Sequence, residues 1–205
     1  MLGPGEIFTL FFVTLGPLKV LGPFAQRTAG LDRQVARQIA VRAFAIATAA
    51  IIVGSIAGRA LAARWSISLA ALELTAGIVF FIVAVKHLLE QYEPAPSDAD
   101  ASLPPAANAA ALRIVFPIVL TPYGIAAVIT VLAATQDAGR TLSILALLVA
   151  VMVLNLLAMV FARHLMTGMT LVVLQVLGAV LAVLQVALAV QIVIVGLQRL
   201  DALAS

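Results

Sequence analysis

Apolar residues along this chain gather into six blocks, each close to the roughly twenty residues that cross a hydrocarbon layer as a helix. Read against charge and Gly/Pro punctuation, the blocks fall at 5–24, 39–58, 66–88, 112–133, 141–162 and 171–196. The tracts 114–136, 141–162 and 165–198 hold no charged residue at all. A buried helix of a soluble protein has no need of such length. The pattern predicts an all-α integral membrane protein with six transmembrane helices. One sizeable hydrophilic connection, 90–111, carries Pro94, Pro96, Asp98, Asp100, Pro104 and Pro105. That composition reads as an acidic, Pro-rich linker. It separates a first three-helix unit, 1–89, from a second, 112–205.

Two of the apolar blocks are interrupted. Leu15-Gly16-Pro17-Leu18 breaks the first, and Leu120-Thr121-Pro122-Tyr123-Gly124 breaks the fourth. Proline lacks an N–H and clashes with the preceding turn, so each helix must kink or unwind there. In lipid, freed backbone groups are tolerated only when buried in protein or facing a polar cavity. The breaks also align: Gly16-Pro17 and Thr121-Pro122 are 105 positions apart. Gly58-Arg59-Ala60-Leu61 matches Ala162-Arg163-His164-Leu165 at an offset of 104, and Gly77 matches Gly178 at 101. Three matches in order suggest duplication. Since three spans is an odd number, the second copy would enter from the opposite side. The expected architecture is two inverted three-helix repeats, with helices 1 and 4 broken at Pro17 and Pro122.

Composition sharpens the class. Hydrophobic residues make up 64% and charged residues 10%, with a mean hydropathy of +1.19, far outside the soluble range. The net charge of +3 comes from a few loop arginines. No basic run interleaves with aromatics, so nucleic acid is not an expected partner. The basic residues instead speak to orientation. Arg27, Arg33, Arg37, Arg42, Lys86, Arg113 and Arg163 lie on one side, against Arg59, Arg64, Arg140 and Arg199 on the other. The excess places the first group in the cytoplasm and both termini outside. Trp65 and Tyr92 fall at the expected interfaces. The first apolar stretch lacks a basic n-region and runs into the Gly-Pro break, unlike a cleavable signal peptide.

Chemistry narrows further. The chain has no cysteine, and its two histidines, His87 and His164, sit at helix ends beside Lys86 and Arg163. Neither a metal nor a cofactor is expected. No phosphate-cradling loop, HExxH or Ser/His/Asp set is present, so an enzyme is disfavoured. The expected partners are the lipid bilayer and a small-molecule substrate, and a homo-oligomer is compatible with both.

The breaks are the candidate substrate site. A helix resuming after Pro17 or Pro122 presents unpaired amides and roughly half a positive charge, a ready anion site. Gly16 gives the first break its freedom, Thr121 and Tyr123 add hydroxyls at the second, and Gly124 would let a ligand approach the backbone. Lys19 and Glu73 are the only charges well inside the expected spans, where charges are costly and usually functional or paired. Lys19 could anchor a substrate carboxylate, pair with Glu73, or snorkel towards the cytoplasm. Asn155 could reach the same pocket, while Gln175, Gln185 and Gln191 read as interhelical hydrogen-bonding groups. Gly54-Ser55-Ile56-Ala57-Gly58 reads as a small-residue packing face.

At these residues the chain resembles the MarC family of bacterial inner-membrane proteins, within the wider LysE-type transporter group. The resemblance covers nearly the whole chain. Gly16-Pro17-Leu18-Lys19-Val20-Leu21-Gly22-Pro23-Phe24 stands where the family carries an Asp/Asn-Pro-x-Gly-Asn-x-x-Pro-x-Phe-like run. Pro117 to Ile125 corresponds to a Pro-x-x-x-Gly-Pro-Gly-x-Ile run, and Thr75-Ala76-Gly77 stands for Ala-Gly-Gly. Gln191 to Gly196 resembles the closing helix. The chain departs from the pattern at Lys19-Val20, at Thr121 and at Glu73, where the family has Gly-Asn, Gly and a basic residue. The resemblance implies an inner-membrane location and transport of small neutral amino acids. The expectation is a secondary transporter binding a small metabolite between the two broken helices. The alternative is a membrane scaffold subunit whose breaks only shape an interface.

Overall fold

The computed structural model describes residues 3–90, 107–135, 137–165 and 169–204. Among them there is no strand. Eight α-helices follow in order: α1 (Pro4–Leu15), α2 (Pro17–Thr28), α3 (Arg33–Arg64), α4 (Leu69–Glu90), α5 (Ala107–Ile114), α6 (Pro122–Ala133), α7 (Ala138–Leu165) and α8 (Met169–Ala204). A π-helical turn, Val115–Val119, joins α5 towards α6. Most of the hydrophilic connection, including Tyr92, Pro94, Pro96, Asp98, Asp100, Pro104 and Pro105, lies outside the described residues. The chain is already helical at Ala107.

Among the described residues, five stretches are long and apolar enough to cross a membrane: Pro4–Thr28, Arg33–Arg64, Leu69–Lys86, Ala138–Leu165 and Val176–Asp201. Pro122–Ala133 is a sixth, shorter apolar helix. The chain is a multi-pass membrane protein. Except at the start of α4, the long helices outrun the apolar blocks at their ends. At ~1.5 Å per residue, the 32 residues of α3 exceed a ~30 Å hydrocarbon core, and Arg33, Arg37 and Arg64 occupy the surplus.

Helix ends follow local chemistry. Asp32 caps α3, accepting from the Gln34 amide at 3.1 Å. The other end of α3 closes with Ser66 in the left-handed region at φ 54°. There Ile67 N donates to Ala62 O at 2.9 Å and Ser66 N to Ala63 O at 3.2 Å, the bond pair of a Schellman motif.

Packing divides into two clusters. The larger gathers α1, α2, α3, α5, α6 and α7 around Phe11, Leu15, Ile51, Ile114, Leu132 and Met152. Small residues set its spacing: Ala40, Ala43 and Ala47 of α3 and Ala110 and Ala111 of α5 are fully buried, letting backbones approach closely. Of the predicted small-residue face, Gly58 does pack, with Ile129 where its Cβ would stand, whereas nothing lies near Gly54.

The smaller cluster joins α4 and α8 with Tyr123, through Phe80, Ala84 and Ala189. Two glycines make this contact. A Cβ on Gly77 would stand 2.9 Å from Val193 N, and one on Gly196 would stand 3.0 Å from Leu74 N. Each glycine thus admits the other helix's backbone, and the pairings of 77 with 193 and 74 with 196 run antiparallel. Nothing lies near Gly178, the glycine matched to Gly77 in sequence. The partner of Gly77 in space is the α8 segment ending at Gly196.

Candidate functional site

The first break disconnects three carbonyls. Pro17 has no N–H for Val13 O, and the extended Gly16, at ψ 171°, turns the chain so that the next two amides no longer reach Thr14 O and Leu15 O. Each carbonyl is recovered by side chains from elsewhere. Gln185 Nε2 of α8 donates to Val13 O at 3.1 Å. Lys19 Nζ donates to Thr14 O at 3.2 Å, and Thr121 Oγ1 reaches the same oxygen at 3.3 Å. Asn155 Nδ2 of α7 donates to Leu15 O at 2.7 Å. In a water-poor interior an unmade bond to any of these would cost about 1–3 kcal/mol. The break is therefore held open by polar groups drawn from both halves of the chain.

Gly16 is required sterically, since a Cβ there would lie 1.8 Å from Phe12 O. The second break is built differently. Phe116 departs from helical geometry within the π turn, and Leu120 N closes on Val115 O at 2.8 Å. Thr121 then caps α6, accepting from Gly124 N at 3.2 Å. The atoms nearest a Cβ on Gly124 belong to Leu15, at 2.3 Å, and to Thr121. What approaches this glycine is the end of α1, so the two breaks dock on each other.

Lys19 and Tyr123 meet at this junction. The ammonium lies 4.2 Å from the Tyr123 ring centroid and donates to the Tyr123 hydroxyl. Tyr123, 1% exposed, stacks in turn on Phe80 at 5.1 Å, tying the break to α4. Cation–π contact and a carbonyl supply partial compensation for the charge. Among the described residues, no carboxylate pairs with Lys19. The Lys19–Glu73 pair considered from sequence does not form: Glu73 Oε2 lies 3.0 Å from Arg199 Nε. The reason is topological. Glu73 sits near the start of α4, whose antiparallel neighbour is the end of α8. The approach lacks hydrogen-bond geometry, leaving Glu73 Oε2 without such a bond, so the attraction is Coulombic.

Of the sequence-derived set, Gly16, Pro17, Lys19, Thr121, Pro122, Tyr123, Gly124 and Asn155 converge, and Glu73 stands apart. Gln185, read from sequence as an interhelical hydrogen-bonding group, is one, donating from α8 to Val13 O of α1. Sequence reasoning did not connect it with the break. It also passed over Arg59, whose guanidinium donates to Thr135 O at 2.8 Å, and Arg163, which donates to Thr28 O at 2.9 Å and to Leu31 O. Their matched positions were the available signal. One acceptor at the junction stays open: Asn155 Oδ1 is buried without a hydrogen-bond partner.

A cavity of about 870 Å³ opens beyond the junction, where α2 ends, α3 begins and α7 ends. Its lining includes Phe24, Thr28, Arg33, Arg37, Met159 and Arg163.

No curated protein and no solved structure matches the chain. The sequence model of the MarC family integral membrane proteins matches residues 5–200, nearly all of the chain. On that match, the protein belongs to the MarC family of integral membrane proteins.

Proposed function

We propose that the protein is a secondary transporter for a small metabolite, most simply a small neutral amino acid, bound at the junction of the two breaks. The observation that carries this reading is the pairing of unmet groups there. Lys19 brings a cation with no carboxylate partner among the described residues, and Asn155 Oδ1 brings an open acceptor. The Lys19 ammonium and the Asn155 amide nitrogen already donate to successive carbonyls, Thr14 and Leu15, so the two side chains are neighbours. A zwitterion offers the complement: a carboxylate for Lys19 and an ammonium for Asn155. The N-terminus of α2 has no side-chain cap and would add its first-turn amides to the carboxylate.

An inverted repeat suits alternating access, and the packing supports one. Arg59 and Arg163, 104 positions apart, each cap the broken helix of the other half. In this reading the protein resides in the bacterial inner membrane with its termini outside, and it performs no covalent chemistry. Glu73, paired with Arg199 near the other face, is a candidate for ion coupling.

Uptake of labelled alanine, glycine and serine into proteoliposomes, with and without proton or sodium gradients, tests the proposal. Flux abolished by Lys19→Met and by Asn155→Leu is the expected result. Absence of gradient-dependent flux for small zwitterions and anions alike would sink it.

A further inference from the structure

We infer that the cavity between α2, α3 and α7 is a recognition vestibule for small organic anions and carboxylate-bearing zwitterions, closed from the break junction by Phe24 and Met159. The inference rests on the transport reading for its purpose, but the geometry stands separately.

The vestibule is electrostatically one-sided. Arg33, Arg37 and Arg163 line it against a single lining carboxylate, Asp32, which is occupied in capping α3. Arg163 is fixed in place by its bonds to the Thr28 and Leu31 carbonyls. Cationic groups over low-dielectric walls focus potential and raise the local concentration of anions. The cavity volume, about 870 Å³, falls in the range of small-molecule sites.

The inner wall is apolar and thin. Phe24 and Met159 both line the cavity and are each 2% exposed. On α2, Phe24 lies five residues beyond Lys19, and on α7, Met159 lies four residues beyond Asn155. At ~1.5 Å of rise per residue, the junction groups stand only ~6–8 Å further in. Val20, 1% exposed, occupies the turn between Lys19 and Phe24. Phe24 and Met159, with Val20 behind Phe24, thus separate the arginine-lined cavity from Lys19, which has no carboxylate partner among the described residues, and from the open acceptor of Asn155. A carboxylate drawn in by these arginines would meet Lys19 once Phe24 and Met159 turned aside.

The absence of cysteine from the chain makes thiol labelling direct. Single cysteines are introduced at Ala36 in the vestibule wall and at Val20 behind Phe24, in the full chain reconstituted in liposomes. Negatively and positively charged methanethiosulfonates of similar size are then compared. Ala36→Cys should react on the order of ten-fold faster with the anionic reagent at low salt. That preference should collapse at high salt and in the Arg33→Gln/Arg37→Gln background. Equal rates, or a preference for the cation, overturn the vestibule.

Val20→Cys should be nearly inert, and should gain at least about ten-fold in rate when Phe24→Ala and Met159→Ala are added. If the double variant does not fold, Met159→Ala alone must give a smaller gain of the same sign. A Val20→Cys that labels as fast with the wall intact, or stays inert with it removed, overturns the gate. Labelling is read without flux. Correct labelling without transport would fail the transport reading only, and transport without the labelling pattern would fail this inference only.

Discussion

Arg163, at the end of α7, donates to the carbonyl of Thr28, the last residue of α2, at 2.9 Å. Arg59, near the end of α3, makes the corresponding bond to Thr135 just past α6, at 2.8 Å. The two arginines are 104 positions apart, and the helices they cap both run twelve residues from a proline. Each broken helix is therefore fixed at its far end by a cation from the opposite half of the chain. A guanidinium at a helix C-terminus satisfies orphan carbonyls and meets the negative end of the dipole.

Arg59→Ala should remove a charged hydrogen bond worth about 1.5 kcal/mol. For a chain of this size that lowers the melting temperature in detergent by about 3–6 °C. Arg59→Lys should recover part of the loss. Arg64→Ala, one turn on and exposed, supplies the control and should leave melting within about a degree. Equal effects at 59 and 64 would mean the Thr135 contact contributes nothing.

The polar scaffold of the first break makes a second prediction. Asn155 is fully buried, and Asn155→Leu orphans Leu15 O in a dry interior, at a cost of about 1–3 kcal/mol. Gln185→Leu should do the same for Val13 O. Gln191→Leu, at an exposed position on the same helix, should be nearly neutral. Thermal melts of the three variants decide it. A loss at Gln191 as large as at Gln185 would show that helix-wide effects, not the break carbonyl, are being measured.

The breaks, the apolar blocks and the offset of matched motifs were legible in the sequence because proline, glycine and long charge-free tracts act locally. The groups that complete the break were not. Gln185 lies 172 positions from Val13 and Asn155 lies 140 from Leu15, and no local pattern says which buried amide meets which orphan carbonyl. Whether Glu73 meets Lys19 was left open in the sequence for the same reason. Its partner follows from the antiparallel register of α4 and α8, set by Gly77 and Gly196. The offset matching Gly77 with Gly178 concerned repeat equivalence and says nothing of which residues touch.

That register makes Lys19 and Glu73 energetically separate. Lys19→Met and Glu73→Gln should add within about 0.5 kcal/mol in the double variant. Glu73→Gln and Arg199→Gln should instead couple, though weakly, since half-exposed pairs contribute about 0–1 kcal/mol. A double-mutant cycle in which Lys19→Met rescues Glu73→Gln would require the two side chains to meet and would contradict the structure.

Ser66 holds a left-handed conformation that disfavours a Cβ by roughly 1–2 kcal/mol. Ser66→Gly relieves that cost while keeping both Schellman bonds, so it should stabilise the protein, by about 1 kcal/mol or less once the added freedom of the unfolded chain is counted. A lower melting temperature for Ser66→Gly would mean the side chain makes a contact outweighing the backbone strain.

The helix pair α4 and α8 gives the sharpest internal comparison. Gly77→Ala places a methyl 2.9 Å from Val193 N, and Gly196→Ala places one 3.0 Å from Leu74 N. Both obstacles are backbone, so the helices must separate, costing about 1–3 kcal/mol as in other overpacked sites. Separation would also pull Phe80 from Tyr123, whose rings now lie 5.1 Å apart, and so loosen the support beneath Lys19. Gly178→Ala meets nothing within 4 Å and should be neutral or gain up to about 1 kcal/mol of helix propensity. Melting and uptake measured on the three variants should therefore divide them two against one. If Gly178→Ala were the damaging change and Gly77→Ala silent, the antiparallel register, and the placement of Tyr123 that depends on it, would be wrong.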